Sequence, residues 1–237
     1  MLKAALAHIE PVQGPLPRLL ALALVFGAVL AVASVAFLGT AMVALPVFAA
    51  ITVLTAQGIA TGYPHAVLGT CNAVTLARAG MVAFLAGAVA ATDVSGWLVF
   101  AVATVAFALD GVDGWLARRA RLVSDFGARF DMEVDASLAA MLALWLWTSG
   151  TTGPEILLLG GMRYAFVAAA IIWPALQAPL PQAFRRKAIC VVQVSALILL
   201  ACPLTPTLLV APVAVIAVVL LAWSFLVDIL WLTRRSA

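Results

Sequence analysis

The sequence predicts an all-α protein, a polytopic bundle of membrane-spanning helices. Of its 237 residues, 66% are hydrophobic and only 10% are charged, whereas soluble domains are roughly 45–50% apolar and 25% charged. Apolar runs of about 20 residues recur along the chain, and each could cross the hydrocarbon core of a bilayer as a helix. Short connections rich in turn residues separate these runs. Since helices satisfy their own backbone groups in lipid, we expect a helical membrane bundle.

The apolar runs predict about eight transmembrane helices. We expect the first two to form an N-terminal hairpin within residues 1–62, and the other six to form a core over 63–237. In the connecting region, Asn72, Thr75 and Arg78 recur every three residues. They predict an amphipathic segment lying along the cytoplasmic surface. The predicted helices are 19–38, 41–61, 79–92, 96–117, 130–149, 155–177, 187–204 and 207–232.

The basic residues predict the orientation of the bundle. In the eight-helix order their four clusters fall on one side of the membrane, which the positive-inside rule makes the cytoplasmic side. Both termini then lie in the cytoplasm, and we expect an integral protein of the inner (cytoplasmic) membrane. Nucleic-acid binding is disfavoured because no aromatic-basic stripe accompanies the net charge of +3. The clusters are Lys3 with Arg18, Arg118 to Arg129, Arg185 to Lys187, and Arg234 with Arg235.

Six of the ten acidic residues fall between positions 110 and 135. Asp110 and Asp113 share one face of a predicted helix, and Asp131 and Asp135, four residues apart, share one face of the next. Two antiparallel helices joined by a short turn would bring these two pairs of carboxylates together. We expect them at the cytoplasmic end of the bundle.

Converging carboxylates at a membrane edge require a compensating charge, because their burial and mutual repulsion are costly. Mg²⁺ or Mn²⁺ bound through carboxylate oxygens would supply it and could also hold phosphate oxygens. The small residues Gly114, Ala117 and Gly127 would let a nucleotide approach the helix backbones, and Arg118 could pair with its phosphates. A solvated loop is the alternative interpretation, but a loop does not require glycines on the same helical face as the aspartates.

The acidic run resembles the signature of the CDP-alcohol phosphotransferase family, class I. The matching pattern is D-x-x-D-G-x-x-A-R, then eight residues, G, three residues, D, three residues and D. The resemblance extends more loosely over about residues 65 to 232 and implies a six-helix core, usually in a homodimer. The residues that match are Asp110, Asp113, Gly114, Ala117, Arg118, Gly127, Asp131 and Asp135.

This resemblance implies that a phosphatidyl group is transferred from CDP-diacylglycerol to a small alcohol, releasing CMP in phospholipid biosynthesis. Mg²⁺ or Mn²⁺ would be bound by Asp110, Asp113, Asp131 and Asp135, with Asp135 also the general base for the acceptor hydroxyl. The implied partners are therefore the donor lipid, the alcohol and the surrounding membrane lipid. The CDP moiety would be held by Asn72, Thr75, Arg78, Gly114, Ala117, Arg118 and Gly127.

The acceptor is predicted from basic residues outside the motif. Arg163, Arg185, Arg186 and Lys187 favour an anionic alcohol such as glycerol 3-phosphate or inositol phosphate. Arg163 could instead form a structural ion pair, and the other three could simply anchor the cytoplasmic side. For Asp228 we weigh function against snorkelling or pairing with Arg234.

Serine, choline and unphosphorylated inositol remain open as acceptors. The reverse arrangement, in which a lipid alcohol attacks CDP-choline or CDP-ethanolamine, uses the same motif. A metal-ion transporter is the alternative of another class, but carboxylates in a transport path are normally spread at mid-membrane.

Overall fold

The structure is a computed structural model that describes residues 14–120, 122–178 and 183–236, except for the side chains of residues 175 and 234–236. The described residues form eight α-helices, which confirms the predicted all-α fold. Two short 3₁₀ segments, Pro154–Ile156 and Pro174–Gln177, flank the sixth helix. The α-helices are α1 (Pro15–Leu38), α2 (Ala44–Gly62), α3 (Thr70–Ala90), α4 (Gly96–Ala120), α5 (Asp125–Thr148), α6 (Leu157–Ile172), α7 (Phe184–Ala201) and α8 (Thr207–Ser236).

Six of the described helices are long and apolar enough to cross a membrane, which makes the chain an integral membrane protein. They are α1, α2, α3, α4, α6 with its preceding 3₁₀ turn, and α8. The other two predicted spans, α5 and α7, do not meet this criterion of length and composition. Charged side chains in the first half of α5 and a basic run at the start of α7 lower their hydropathy. Their crossing of the membrane stays a prediction.

Helix α3 differs most from its predicted extent, because it begins at Thr70 and not at residue 79. Asn72, Thr75 and Arg78 belong to this helix, and each is less than 5% exposed. The predicted interfacial segment along the cytoplasmic surface is therefore wrong. These side chains are buried because other protein groups satisfy their polar atoms, so the helix does not need water on that face.

The helices divide into two compact units, and the first comprises residues 1–91 and 106–134. Within it α1, α2 and α3 pack on one another. Gly39, in the left-handed conformation at a φ of 74°, ends α1. A β-carbon at Gly87 on α3 would lie only 3.3 Å from the Ala44 β-carbon on α2, so these helices approach closely. The predicted hairpin is thus packed on the first helix of the predicted core.

The second unit comprises residues 92–105 and 135–237, with α6, α7, α8 and the adjoining parts of α4 and α5. Here α7 packs on α8. Helix α6 meets α5 at Gly160, where a β-carbon would lie 2.8 Å from the Ala140 α-carbon. The division into domains at residue 62 stays a prediction, since the two units follow other boundaries.

Candidate functional site

Three aspartates of the first unit converge on one point. Asp110 and Asp113, three residues apart on α4, are joined there by Asp131 on α5. One carboxylate oxygen from each lies within 4.8 Å of the others. The turn between the helices is closed by the Leu122 amide, which donates to the Ala117 carbonyl oxygen at 3.1 Å. The predicted convergence of carboxylates from α4 and α5 is therefore present for these three residues.

Arg78 lies at the centre of this cluster. Its side chain is 0% exposed, and Nη1 lies 3.2 Å from Asp110 Oδ1 and 2.9 Å from Asp113 Oδ2. The same nitrogen forms an ion pair with Asp131. Nε donates to the Ala106 carbonyl oxygen at 3.0 Å, which fixes the guanidinium plane. One buried cation thus contacts all three carboxylates.

Thr75 adds a second donor from α3, since its hydroxyl donates to Asp113 Oδ2 at 3.0 Å. Asp113 is the most enclosed of the three side chains at 4% exposure, whereas Asp110 and Asp131 are 32% and 36% exposed. The cluster is therefore buried at Asp113 and open to solvent at Asp110 and Asp131.

The cluster fits a divalent cation. Its donors are hard carboxylate oxygens, the type that Mg²⁺ and Mn²⁺ prefer, and one oxygen from each residue lies within 4.8 Å of the others. Three carboxylates and one guanidinium leave a formal charge of −2, which one divalent ion would neutralise. Asp110, Asp113 and Asp131 are the residues that would hold it.

The small residues of the motif lie beside this cluster in the same unit. A β-carbon at Gly127 would lie 3.4 Å from Asn72 Oδ1, so α3 and α5 approach closely there. The amide of Gly127 donates to Ser124 Oγ at 3.0 Å, an N-cap that starts α5. On α4, the exposed Arg118 folds back over Gly114, where a β-carbon would lie 3.3 Å from its Nη1.

One contact in this region involves a residue that the sequence analysis missed. Tyr63, in the connection after α2, accepts a hydrogen bond from Asn72 Nδ2 at 3.0 Å and donates one to the Val67 carbonyl oxygen at 3.1 Å. Burial raises the pKa of the Tyr63 phenol. His65 and Phe126 contact its ring edge-to-face at centroid distances of 5.4 and 5.6 Å. No motif marks Tyr63, and only its position just before the core could have drawn attention to it.

Asp135, the fourth motif aspartate, follows Asp131 by one turn of α5 and belongs to the second unit. There it interacts electrostatically with the thiol of Cys190 on α7, as do Arg163 on α6 and Arg186 on α7. The predicted base and two of the predicted acceptor residues therefore lie in the same unit, and each acts electrostatically on this thiol.

The remaining basic residues of α7 have different surroundings. Arg185 donates to the Ser224 carbonyl oxygen at 2.6 Å, to Ser224 Oγ at 2.7 Å and to Asp228 Oδ1 at 2.5 Å. Arg186 also reaches Asp228 Oδ1, at 3.2 Å. Lys187 is exposed. Asp228 thus pairs across helices with α7, while the side chain of Arg234, its other expected partner, lies outside the described residues.

A family model described as CDP-alcohol phosphatidyltransferase matches residues 68–230, which is more than half of the chain. No curated protein and no solved structure matches it. The matched range includes the three converging aspartates, Arg78 and the motif glycines, but it leaves out α1, α2 and Tyr63. The protein belongs to the CDP-alcohol phosphatidyltransferase family, a family of transferases.

Proposed function

We propose that this protein transfers a phosphatidyl group from CDP-diacylglycerol to the hydroxyl of a small anionic alcohol, releasing CMP. The observation that carries the proposal is the convergence of three carboxylates within 4.8 Å in the range that the family model matches. The small residues Gly114, Ala117 and Gly127, together with Arg118, would hold the cytidine diphosphate beside them. Asn72 and Thr75 would complete that side from α3.

Asp110, Asp113 and Asp131 would hold the Mg²⁺ or Mn²⁺ ion, with Asp135 able to share this role. When bound, the ion supplies positive charge against the diphosphate oxygens and stabilises the charge that develops on the departing CMP. Asp113 is fixed for this task by Thr75 and Arg78. The open side at Asp110 and Asp131 would give the diphosphate its access.

Asp135 would act as the general base. The acceptor oxygen attacks the phosphorus that carries the diacylglycerol, and its proton passes to the Asp135 carboxylate. A new bond forms from this phosphorus to the acceptor oxygen, and the bond to the bridging oxygen breaks. CMP leaves with that electron pair, and the lipid product carries a phosphodiester.

Arg163 and Arg186 would bind the anionic part of the acceptor. Both interact electrostatically with the Cys190 thiol, as Asp135 does, so the acceptor charge and the base would lie near one position of α7. Arg185 contacts Ser224 and Asp228, and Arg186 also contacts Asp228, so α8 positions both side chains. Glycerol 3-phosphate and inositol phosphate have the required charge. We place this side of the protein at the cytoplasmic face of the inner membrane, where such acceptors are dissolved.

The test is release of CMP by the purified full-length protein in detergent micelles or nanodiscs. CDP-diacylglycerol, Mg²⁺ and a panel of acceptors are supplied: glycerol 3-phosphate, inositol phosphate, inositol, serine and choline. We expect release with an anionic acceptor. Asp135→Asn should lower kcat by about 10²-fold or more, since a general base contributes 10²–10⁴-fold. Glu133→Gln, which neutralises an exposed carboxylate on the same helix, is the matched control and should keep the activity.

Other outcomes identify other functions. CMP release with serine, inositol or choline only would contradict the anionic acceptor. CMP release from CDP-choline or CDP-ethanolamine with diacylglycerol would show the reverse arrangement. If no substrate pair releases CMP while the protein in liposomes carries Mn²⁺ across the bilayer, the protein is a transporter and the proposed transferase function is wrong.

A further inference from the structure

We propose that Tyr63 is a positioning residue that fixes the side-chain amide of Asn72 with its oxygen toward Gly127. Held in this way, the amide makes the proposed nucleotide site select cytosine over uracil. This inference rests on the proposed function and deepens it. Tyr63 lies outside residues 68–230, the range that the family model matches. The role therefore belongs to a part of this chain that the family signature does not include.

The orientation of Asn72 follows from the single proton of the Tyr63 hydroxyl. Tyr63 donates this proton to the Val67 carbonyl oxygen at 3.1 Å. Its oxygen can then only accept, so the atom of Asn72 that faces it at 3.0 Å must be the donating nitrogen Nδ2. Burial raises the pKa of the phenol, so the hydroxyl keeps its proton at neutral pH.

With Nδ2 held by Tyr63, Oδ1 of Asn72 is directed toward Gly127. A β-carbon at Gly127 would lie 3.4 Å from this oxygen, which places a hydrogen-bond acceptor beside the motif glycine. Asn72 is 4% exposed, so water does not readily reach this oxygen. A ligand group that faces the oxygen and cannot donate a hydrogen bond would lose its bond to water without gaining another.

Cytosine and uracil differ at the edge that such an acceptor would read. The exocyclic amine of cytosine donates hydrogen bonds, whereas the corresponding oxygen of uracil only accepts them. An amide free to rotate could present either its oxygen or its nitrogen. The contact with Tyr63 removes this freedom and favours the base that donates.

The surroundings of Tyr63 hold it in place for this role. His65 and Phe126 pack edge-to-face against its ring. Phe126 in turn lies against Gly58 on α2, where a β-carbon would lie 2.5 Å from the Phe126 ring. The end of the N-terminal hairpin is thus packed against the start of α5, which carries Gly127.

The test compares the binding of CMP and UMP to the full-length protein in nanodiscs with Mg²⁺, measured by competition against CDP-diacylglycerol turnover and by direct titration. We expect the wild type to bind CMP more tightly than UMP. Tyr63→Phe should lower this preference about 3- to 10-fold, the value of one hydrogen bond. CMP affinity and KM for CDP-diacylglycerol should change while kcat stays near the wild-type value.

Two further variants make the test specific. Asn72→Ala should lose the preference, and adding Tyr63→Phe to it should cause no further loss, because Tyr63 acts through Asn72. Tyr164→Phe removes the hydroxyl of the only other tyrosine in the chain, which lies near Ser137 Oγ at 3.2 Å, and should keep the preference.

The outcomes separate this inference from the proposed function. If the wild type releases CMP from CDP-diacylglycerol and Tyr63→Phe keeps its preference for CMP, the inference is wrong and the transferase function stands. An equal loss of CMP and UMP affinity, with a lower Tm, would show a purely structural role and would also overturn it. If the wild type binds neither nucleotide and releases no CMP, the proposed function fails.

Discussion

Arg78 sets the charge of the candidate metal site. Among the described residues it is the largest fully buried side chain, and one of its nitrogens contacts three carboxylates from two helices. Burial of a guanidinium is tolerated only when charge and hydrogen bonds compensate it. Arg78 and the aspartates therefore depend on each other, and we expect the loss of Arg78 to affect folding as well as activity.

We predict that Arg78→Met lowers the free energy of unfolding by about 3–5 kcal/mol in the presence of a chelator, as expected when one partner of a buried ion pair is removed. Added Mn²⁺ should raise the Tm of this variant more than that of the wild type. A divalent ion can offset the repulsion among the three carboxylates, which the loss of Arg78 leaves uncompensated. Arg78→Lys, which keeps the charge, should lie between the two. Thermal unfolding with a chelator and with Mn²⁺ measures both effects.

The opposite result would assign Arg78 to the nucleotide, as the family resemblance implies. In that case Arg78→Met would raise KM for CDP-diacylglycerol and leave the Tm close to that of the wild type. Steady-state kinetics on the same protein preparation distinguishes the two roles.

At this scale the sequence predicted which carboxylates converge better than it predicted their contacts. The spacing of Asp110, Asp113 and Asp131 correctly placed three carboxylates together, since helical periodicity alone brings them to facing surfaces. The three carboxylates that Arg78 contacts lie 32 or more residues away along the chain (110 − 78 = 32), and no local pattern shows these contacts. Asp228 illustrates the same limit, because its partners Arg185 and Arg186 lie on another helix.

At the scale of helices, close packing of α5 and α6 depends on one glycine. A β-carbon at Gly160 would lie 2.8 Å from the Ala140 α-carbon and 2.8 Å from the Ala143 β-carbon, whereas one at Gly161 would meet nothing within 4 Å. Small residues let helix backbones approach in membranes, and backbone atoms cannot yield as a flexible side chain can. The two adjacent glycines therefore provide a matched pair.

We predict that Gly160→Ala lowers the free energy of unfolding by about 1–3 kcal/mol, the usual cost of overpacking. Gly161→Ala should be neutral or should stabilise by up to about 1 kcal/mol, because alanine is the better helix former. Thermal unfolding in one detergent compares the two variants directly. Equal Tm values for both would contradict the close contact at Gly160.

The contact between α7 and α8 depends on ion pairs that are only partly exposed. Asp228 is 10% exposed in its side chain, and its partners Arg185 and Arg186 are 21% and 28% exposed. We predict that Asp228→Asn lowers the free energy of unfolding by about 1–3 kcal/mol, between the values for surface and buried pairs. If Arg186 binds the acceptor, KM for the anionic alcohol should change too, whereas KM for CDP-diacylglycerol should not. An unchanged Tm would show that these ion pairs do not stabilise the contact between α7 and α8.

The helices themselves were predicted well, with one informative exception. Seven of the eight begin and end near their predicted limits, because runs of apolar residues bounded by turn residues define them. Helix α3 begins nine residues earlier than predicted, since Asn72, Thr75 and Arg78 suggested a water-facing surface. The polar groups on this face instead form hydrogen bonds with Tyr63 and the aspartates. These partners become visible only once the helices are packed.

At the scale of the whole molecule, the distribution of charge determines the expected orientation. The turn between α4 and α5 belongs to a basic region, whereas the connection before α4 carries Asp93 and no basic residue. Positive charge favours retention in the cytoplasm. The motif begins near the end of α4 and continues into α5, so this orientation also decides whether the site meets a cytosolic acceptor.

We predict that the two ends of α4 react differently with a membrane-impermeant maleimide. The three native cysteines are first replaced, and single cysteines are introduced by Thr92→Cys before α4 and by Val123→Cys after it, both at exposed positions. In intact cells Thr92→Cys should be labelled, and Val123→Cys should be labelled only after permeabilisation, because the basic side stays in the cytoplasm. Both positions should react in permeabilised cells, which controls for accessibility. If only Val123→Cys is labelled in intact cells, the protein has the opposite orientation. That result would also contradict the expectation that the acceptor comes from the cytosol.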